Sequence, residues 1–492
     1  MSPIYIFSCI GGYFLFLLLI AWYTSRNATN DSYFLGNKAS PWYAVAFGMI
    51  GDSLSGVTFI SVPGTVGKDQ FSYLQLVLGL MVGYLIIAWV LLPLFYKLNL
   101  TSIYSYLETR FGTRSQKTGS AYFILSRTLG AAARLFLAAS VIQKFVFDAW
   151  NIPFVVTVAS IILLMLAYTY KGGIKTLVWT DTFQSTFLLL GVILSIVAIM
   201  RQLGLGVGDL ISTVKNSDYA QTFFWDATKG NYFWKQFLGG IFLAIAMTGL
   251  DQNMMQKNLS CRSLREAQWN MASYSVIAVL VNLFFLSMGA LLYIFATSKG
   301  IAIPERSDQL FPLLALQHLG TFAAIVFVLG LTAATFSSAD SVLTTLTTSY
   351  CIDILGMDKD TRRTEAEKTS LRHRIHLAFA AILLVVILAF EAIAKQSVIG
   401  AVLKIATYTY GPLLGLFVFG IICRRRVLDK SVPVICLIAP LICYFLDTNS
   451  KAFFGGYQFG NELLILNAVV TCAGLFLFSQ AQEKPPSTVT LS

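Results

Sequence analysis

A row of hydroxyl groups follows one face of a long apolar segment, Thr321–Leu355. The hydroxyls recur at the helical spacing i, i+3, i+4, and the carboxylate of Asp340 lies on their flank. A dehydrated hard cation takes oxygen ligands, so the row is a candidate cation site. Serine and threonine also hydrogen-bond between packed helices, and the row alone leaves both interpretations open. The face begins at Ala334, and its hydroxyl groups belong to Ser337, Ser338, Ser341, Thr344, Thr345 and Thr348.

Two other apolar segments contain residues that interrupt a helix. Trp42–Val66 reads Gly-Asp-Ser-Leu-Ser-Gly over 51–56, and Phe237–Gln256 has a glycine pair before Thr-Gly-Leu-Asp-Gln over 248–252. In lipid, a non-helical backbone must be buried in protein or line a cavity, and paired interruptions in two halves of a chain point to a transporter's central site. Glycines that merely allow close helix packing are the alternative. Together with the hydroxyl row, these breaks favour a cation site.

Several ionisable residues lie within apolar segments, where charge is costly and usually functional. Asp52 and Arg134 fall at matched depth, so we expect them to pair, either in function or as a structural ion pair. Asp181, followed by Gln184 and Ser185, forms a polar patch on one helical face. Further charges of this kind are those of Arg127, Asp340 and Lys404.

The composition explains where these residues must lie. Of the 492 residues, 56% are hydrophobic and only 12% are charged, with a mean hydropathy of +0.71. Soluble proteins carry roughly 25% charged residues, so a soluble, disordered or coiled-coil chain is excluded. The net charge of +11 resides in short loops, which argues against a nucleic-acid partner. The sequence predicts an all-α polytopic membrane protein.

Thirteen apolar runs are long enough to be transmembrane helices. We expect one transmembrane domain over 1–480, with inverted five-helix repeats at about 42–200 and 235–423 (runs two to six and seven to eleven). One extra helix precedes the repeats and two follow them, and 481–492 is expected to be a disordered cytoplasmic tail. The runs are Ile4–Tyr23, Trp42–Val66, Phe71–Tyr96, Ala121–Phe147, Ile152–Tyr170, Leu177–Met200, Phe237–Gln256, Met271–Ala296, Thr321–Leu355, His376–Ala394, Val398–Ile422, Val432–Leu446 and Leu463–Phe478.

The basic loops predict the orientation. Lysine and arginine concentrate in alternate loops, among them Tyr96–Thr118, Lys257–Arg265 and Lys359–Arg374. By the positive-inside rule these loops are cytoplasmic, which places the N-terminus outside and the C-terminus inside a plasma (bacterial inner) membrane. The seven cysteines and three histidines show no metal-site spacing. No residue set resembles a catalytic centre, so no enzyme activity is expected.

Four stretches together resemble the sodium:solute symporter family. They begin with Ser-Leu-Ser-Gly-Val-Thr-Phe-Ile-Ser-Val-Pro-Gly at 53–64 and Tyr-Lys-Gly-Gly-Ile-Lys-Thr-Leu-Val-Trp-Thr-Asp-Thr-Phe-Gln at 170–184. The other two are Gly-Leu-Asp-Gln-Asn-Met-Met-Gln-Lys at 249–257 and Ser-Ser-Ala-Asp-Ser at 337–341. The resemblance runs from about Trp42 to Arg426. It implies the LeuT-like fold, Na+ as the coupled ion and alternating access.

The resemblance also implies ion and solute ligands. A common sodium site would use backbone carbonyls of Gly51, Leu54 and Ala334 and the hydroxyls of Ser337 and Ser338. A second ion site found in some members would use Asp181, Ser337 and Ser341. This sequence departs from those members at Asp340, where they carry serine or threonine, and Asp52 is also unusual, so the second ion is open between sodium and a proton. The solute pocket would include Ser55, Gly56 and Thr58, with Gln75, Arg134 and Tyr408 added from neighbouring runs.

The predicted function is therefore sodium-coupled import of a small polar solute (a sugar, organic acid or amino acid), by a protein that works as a monomer in lipid. A proton-coupled or facilitative carrier of the same fold, and a membrane sensor that binds solute without moving it, are the alternatives.

Overall fold

The computed structural model describes residues 3–26, 30–393 and 398–480, and almost all of this chain is helical. The tail predicted for 481–492 lies outside the described residues. The first half contains α1 Pro3–Thr24, α2 Asn30–Leu35, α3 Trp42–Ser53, α4 Gly56–Asp69, α5 Tyr73–Ile86, α6 Leu92–Lys97, α7 Ser105–Arg110, α8 Thr113–Ile142, α9 Phe154–Gln202 and α10 Leu210–Lys215.

The second half repeats the pattern of a short helix pair followed by long helices. It contains α11 Phe233–Ala244, α12 Gln252–Leu259, α13 Leu264–Ser298, α14 Leu310–Leu313, α15 Gly320–Ser349, α16 Glu365–Ile393 and α17 Val398–Ile422. After it come β1 Arg426–Val427, α18 Val432–Thr448, α19 Ser450–Phe453, α20 Leu463–Leu477 and β2 Ser479–Gln480, and the two strands pair antiparallel. Wider π-helical turns occupy Ile87–Leu91, Gln143–Phe147, Ile245–Gly249, Leu314–His318 and Tyr350–Ile354. Single 3-10 turns occupy Gly36–Lys38, Asp148–Trp150, Val207–Asp209 and Ser307–Gln309.

The helices have the lengths that a membrane requires. Among the described residues, seven helices are long and apolar enough to cross a membrane, and two bent helix pairs pass the same test as units. Four shorter apolar helices accompany them. The all-α membrane architecture is thus confirmed, whereas the total of thirteen spans stays a prediction.

Both predicted interruptions are real breaks in the structure. The chain bends by 58° between α3 and α4, where Leu54 adopts non-helical angles and Ser55 is extended. It bends by 66° between α11 with its π-helical end and α12. Asp251 begins α12 by accepting a hydrogen bond from the backbone N–H of Met254 at 3.2 Å, which satisfies one of the free donors at a helix start.

One helix forms the centre of the molecule. In its most apolar stretch α15 is 83% buried, against 28% for α16, which therefore presents most of its surface to lipid. α15 packs against α8, α9, α3 and α4. The hydroxyl row of α15 consequently faces protein along its whole length.

The long helix α9 consists of two helices that join at a kink, and the residue at the kink is a glycine. Gly173 has φ +53° and ψ −145°, a conformation that side chains rarely allow, and this kink divides the predicted runs Ile152–Tyr170 and Leu177–Met200. A Cβ at this position would lie 2.5 Å from the carbonyl oxygen of Tyr33 in α2. Neither the backbone angle nor the contact can adjust easily.

Gly173→Ala tests this kink. The added methyl group costs about 1–3 kcal/mol in backbone strain alone, so the midpoint of thermal unfolding in detergent should fall clearly. Gly12→Ala in α1 adds the same group where nothing lies within 4 Å, and it should leave the midpoint unchanged or slightly raised. Equal midpoints for the two variants would contradict this account of the kink.

Candidate functional site

The end of α3 lies directly against the hydroxyl row of α15. A Cβ on Gly51 would lie 2.5 Å from the Ser337 Oγ and 2.8 Å from the Ser185 Oγ, so only glycine allows this approach. The Gly51 N–H donates to the Ser185 Oγ at 2.9 Å, which anchors the helix end to α9. The close packing leaves backbone oxygen and serine hydroxyl groups side by side.

The remaining residues predicted for the first sodium site border this contact. Ser338 donates its hydroxyl to the Ala334 carbonyl at 3.3 Å, one turn earlier in α15. Leu54 is the residue at which the helical hydrogen bonding of α3 ends. All of these residues are buried, as an ion without its water shell requires. Their role as sodium ligands stays a prediction, and the arrangement is compatible with it.

A lysine and two aspartates form a buried ionic cluster beside this contact. Lys257 of α12 donates its ammonium group to Asp52 of α3 and, at 2.5 Å, to Asp181 of α9. The lysine side chain is 1% exposed and both carboxylates are fully buried. One cation therefore joins three helices in the interior of the protein.

The other carboxylate oxygens are bound by α15. The Ser341 Oγ donates to Asp52 Oδ1 at 2.6 Å, and the Ser337 Oγ lies 3.4 Å from Asp181 Oδ1. Asp340, the third carboxylate, accepts hydrogen bonds from the Tyr168 hydroxyl at 2.8 Å and from the Ser341 N–H at 2.5 Å. The residues that the resemblance implies for a second ion site thus lie in one neighbourhood with Asp340; they are Asp181, Ser337 and Ser341.

Two expectations from the sequence are corrected here. Asp52 pairs with Lys257 instead of Arg134, because α12 brings the lysine to the end of α3. Lys257 was expected in a basic loop on the cytoplasmic side, yet it is buried in a helix. The sequence contained one indication of this burial: Lys257 follows Asp251 by six residues, so it belongs to the helix that begins after the second break.

A second buried ion pair lies at the start of α12. Arg127 of α8 donates its Nε to Asp251 Oδ2 at 2.5 Å, and the Tyr410 hydroxyl of α17 donates to the same oxygen. The Tyr104 hydroxyl donates to the neighbouring Leu250 carbonyl at 2.9 Å. The broken segment before α12 is thereby connected to the helices on three sides.

A cavity of about 120 Å³ lies between the two breaks. Its polar wall includes Ser55 and Thr58 after the first break and Thr248 before the second, and Arg127 and Arg134 enter from α8. This volume is below the roughly 300–1,000 Å³ of common ligand pockets, so a solute larger than a few heavy atoms requires an opening of the helices. The complete lining is Asp52, Ser53, Ser55, Thr58, Tyr73, Leu80, Tyr84, Arg127, Arg134, Leu243, Ala244, Met247, Thr248 and Met254.

Three residues predicted for the solute pocket lie elsewhere. Gly56 faces α15, where a Cβ would lie 2.4 Å from the Thr335 Oγ1. Gln75 holds the 221–232 loop, because its Oε1 accepts from the Phe224 N–H at 3.1 Å and its Nε2 donates to the Asn231 carbonyl at 2.9 Å.

The third residue, Tyr408, reaches α18 instead of the pocket. It donates its hydroxyl to Asp447 at 2.7 Å, and Lys404 binds the same carboxylate at 2.9 Å. Lys404 is 61% exposed and lies on the side of α17 that contacts α18. Both residues therefore support packing between helices.

The fold and the site together define the class of protein. Paired broken helices, a cavity between them and an oxygen-rich contact beside it are the features of secondary transporters with repeated halves. The solved structure of a Na+-coupled sialic acid symporter, in a substrate-bound outward-open state, has the same fold: it aligns with a TM-score of 0.83 at 21% identity, over 97% of this chain and 99% of that one.

The family follows from the sequence match. The model of the sodium:solute symporter family matches residues 33–428, and the chain belongs to this family, which consists of transporters rather than enzymes. The sodium/sialic acid symporter SiaT of Proteus mirabilis is 24% identical over 97% of this chain and 96% of its own length. The sodium-coupled monocarboxylate transporter 1 of Xenopus laevis is 26% identical over 80% of this chain, which spans 63% of that relative. The chain is thus a sodium-coupled symporter of a small organic solute.

Arg127→Met tests the ion pair at the start of α12. Removing the guanidinium leaves the Asp251 carboxylate buried without its cation, which costs about 3–5 kcal/mol and should lower the thermal unfolding midpoint strongly. Lys359→Met removes a pair with Glu108 in which the lysine is 60% exposed, so its effect should stay below about 1 kcal/mol. An equal fall in the unfolding midpoint of both variants would show that burial does not determine how strongly the Arg127–Asp251 pair stabilises the protein.

Proposed function

We propose that the protein imports a small organic acid together with sodium by alternating access. The observation that carries the proposal is the position of Arg134, a half-buried arginine on the cavity wall. Arg127 on the same wall is bound to Asp251, whereas no carboxylate of the described residues lies within ion-pairing distance of Arg134. A cation inside a membrane protein without a counter-charge is costly, and a solute carboxylate would supply that charge.

The chemistry of arginine favours a carboxylate in particular. The planar guanidinium offers two parallel N–H donors to the two carboxylate oxygens, which fixes the orientation of the solute as well as its charge. The hydroxyl groups of Ser55, Thr58 and Thr248 on the same wall would bind the polar remainder. Relatives named for sialic acid and for monocarboxylates support an acid as the substrate class.

Sodium would act through the first break. An ion bound by Gly51, Leu54, Ala334, Ser337 and Ser338 would hold the end of α3 against α15, and Ser55, the next residue after Leu54, borders the cavity. Sodium binding would therefore organise the solute site, and by linkage the solute would tighten sodium binding equally. We also propose inverted repeats at about 42–200 and 235–423, which the paired breaks support, and an outside N-terminus in a plasma (bacterial inner) membrane, which the basic loops support. Activity as a monomer is a further part of the proposal.

The energetics of an acid differ from those of a neutral solute. Moving one negative charge inward against about −100 mV costs ~2.3 kcal/mol, and one sodium ion moving with it offsets this cost. The sodium concentration gradient then remains as the driving force for uptake, and it supplies ~1.4 kcal/mol for each tenfold difference in concentration. A tenfold sodium gradient and one ion would thus support about tenfold accumulation of a monovalent acid.

The first experiment measures uptake into proteoliposomes with and without a sodium gradient. Radiolabelled sialic acid, lactate and glucose serve as probes, and we expect uptake of an acid that requires sodium. Arg134→Gln should reduce it more than tenfold, since the charge-assisted contact is lost, and Arg134→Lys should retain a part of it. Sodium-independent uptake would indicate a facilitative or proton-coupled carrier, and binding without counterflow would indicate a sensor.

Ser337→Ala and Ser338→Ala test the first sodium site. The loss of one hydroxyl ligand should raise the sodium concentration for half-maximal uptake by roughly tenfold, at about 1–2 kcal/mol per lost contact. Thr345→Ala is the matched control, because this hydroxyl donates to the Ser341 carbonyl within α15 at 2.9 Å. An unchanged sodium dependence in both serine variants would assign the two hydroxyls to helix packing.

A further inference from the structure

The ammonium group of Lys257 binds Asp181, one of the residues predicted for a second ion site. It binds one oxygen of Asp52 and one of Asp181, from two helices that are far apart along the chain. Asn253, one turn earlier in α12, directs its amide Nδ2 toward the same Asp52 oxygen at 3.4 Å. A lysine ammonium has three donors and no acceptor, so it fits a set of oxygen atoms as a metal cation does.

The oxygens on the far side of this cluster already have partners. Ser341 donates to the second oxygen of Asp52 at 2.6 Å, and the Tyr168 hydroxyl and the Ser341 N–H bind Asp340. The Ser337 hydroxyl lies 3.4 Å from the second oxygen of Asp181 and also borders Gly51. The cluster is therefore contiguous with the first sodium site and is closed by hydrogen bonds around the ammonium.

The ammonium and a second sodium ion would compete for the same two carboxylates. Two unit positive charges a few ångströms apart repel strongly in a medium of low dielectric constant. The aspartates that would attract a second ion, Asp52 and Asp181, already share a cation that cannot diffuse away, so their combined charge falls from −2 to −1. The lysine side chain is 1% exposed, so water does not screen this repulsion.

We propose that Lys257 is a built-in cation that replaces a second sodium ion and sets the coupling at one sodium per transport cycle. This inference rests on the proposed sodium coupling and adds its stoichiometry. The ammonium supplies a fixed positive charge to Asp52 and Asp181 without drawing an ion from solution. A cycle with one sodium ion and a monovalent acid moves no net charge, so the membrane potential does not drive it.

The test counts the sodium ions that the protein binds, which does not depend on the identity of the solute. Radiolabelled sodium is bound at equilibrium to the purified full-length protein, and the Hill coefficient is measured from the same titration. Wild type should bind one ion with a Hill coefficient near one. Lys257→Ser frees the two carboxylates and leaves space and a hydroxyl oxygen, so it should bind two. Lys257→Arg keeps the charge and should bind one.

Each outcome decides the proposal. Two ions in wild type, two in Lys257→Arg, or one in a folded Lys257→Ser would overturn it. If Lys257→Ser does not yield folded protein, the counts for wild type and for Lys257→Arg still decide, since both must equal one. Absence of sodium binding in wild type would overturn the proposed function itself, and sodium-dependent uptake with two bound ions would overturn only the role of Lys257.

Discussion

The low dielectric constant of the protein interior is the constraint on which this structure depends. A charge buried there destabilises the protein unless an opposite charge pairs with it. Lys257 pairs with two carboxylates. Because Asp52, Asp181 and Lys257 come from α3, α9 and α12, the pairing also positions these helices. The ionic cluster is thus both a functional neighbourhood and a part of the packing.

Buried ionic groups lie at both breaks in the helices. One ionic group lies at the end of α3 and around Lys257, and the other joins Arg127 to Asp251 at the start of α12. The cavity lies between them and receives a third cation, that of Arg134. The charges that hold the helices are paired, whereas Arg134 remains on the cavity wall, where the proposed binding of an organic acid would use it.

The predictions from sequence succeeded where the signal is local. Glycines, hydroxyls and the Asp52 carboxylate within an apolar run indicated the break after α3, and the bend of 58° confirms it. The hydroxyl row of α15 is buried throughout, as its spacing indicated. Gln75 and Tyr408 were predicted at the solute pocket from their positions in neighbouring apolar runs, whereas in this structure Gln75 contacts a loop and Tyr408 contacts α18.

The sequence by itself determined that this chain spans a membrane, that two of its helices are broken and that hydroxyl groups line one face of a long helix. Hydropathy, helical periodicity and backbone-breaking residues act within a few turns, so these features can be read without a fold. The partners of the buried charges were decided by the tertiary structure. Asp52 and Lys257 are 205 residues apart, and only the packing of α12 against α3 selects that lysine over Arg134.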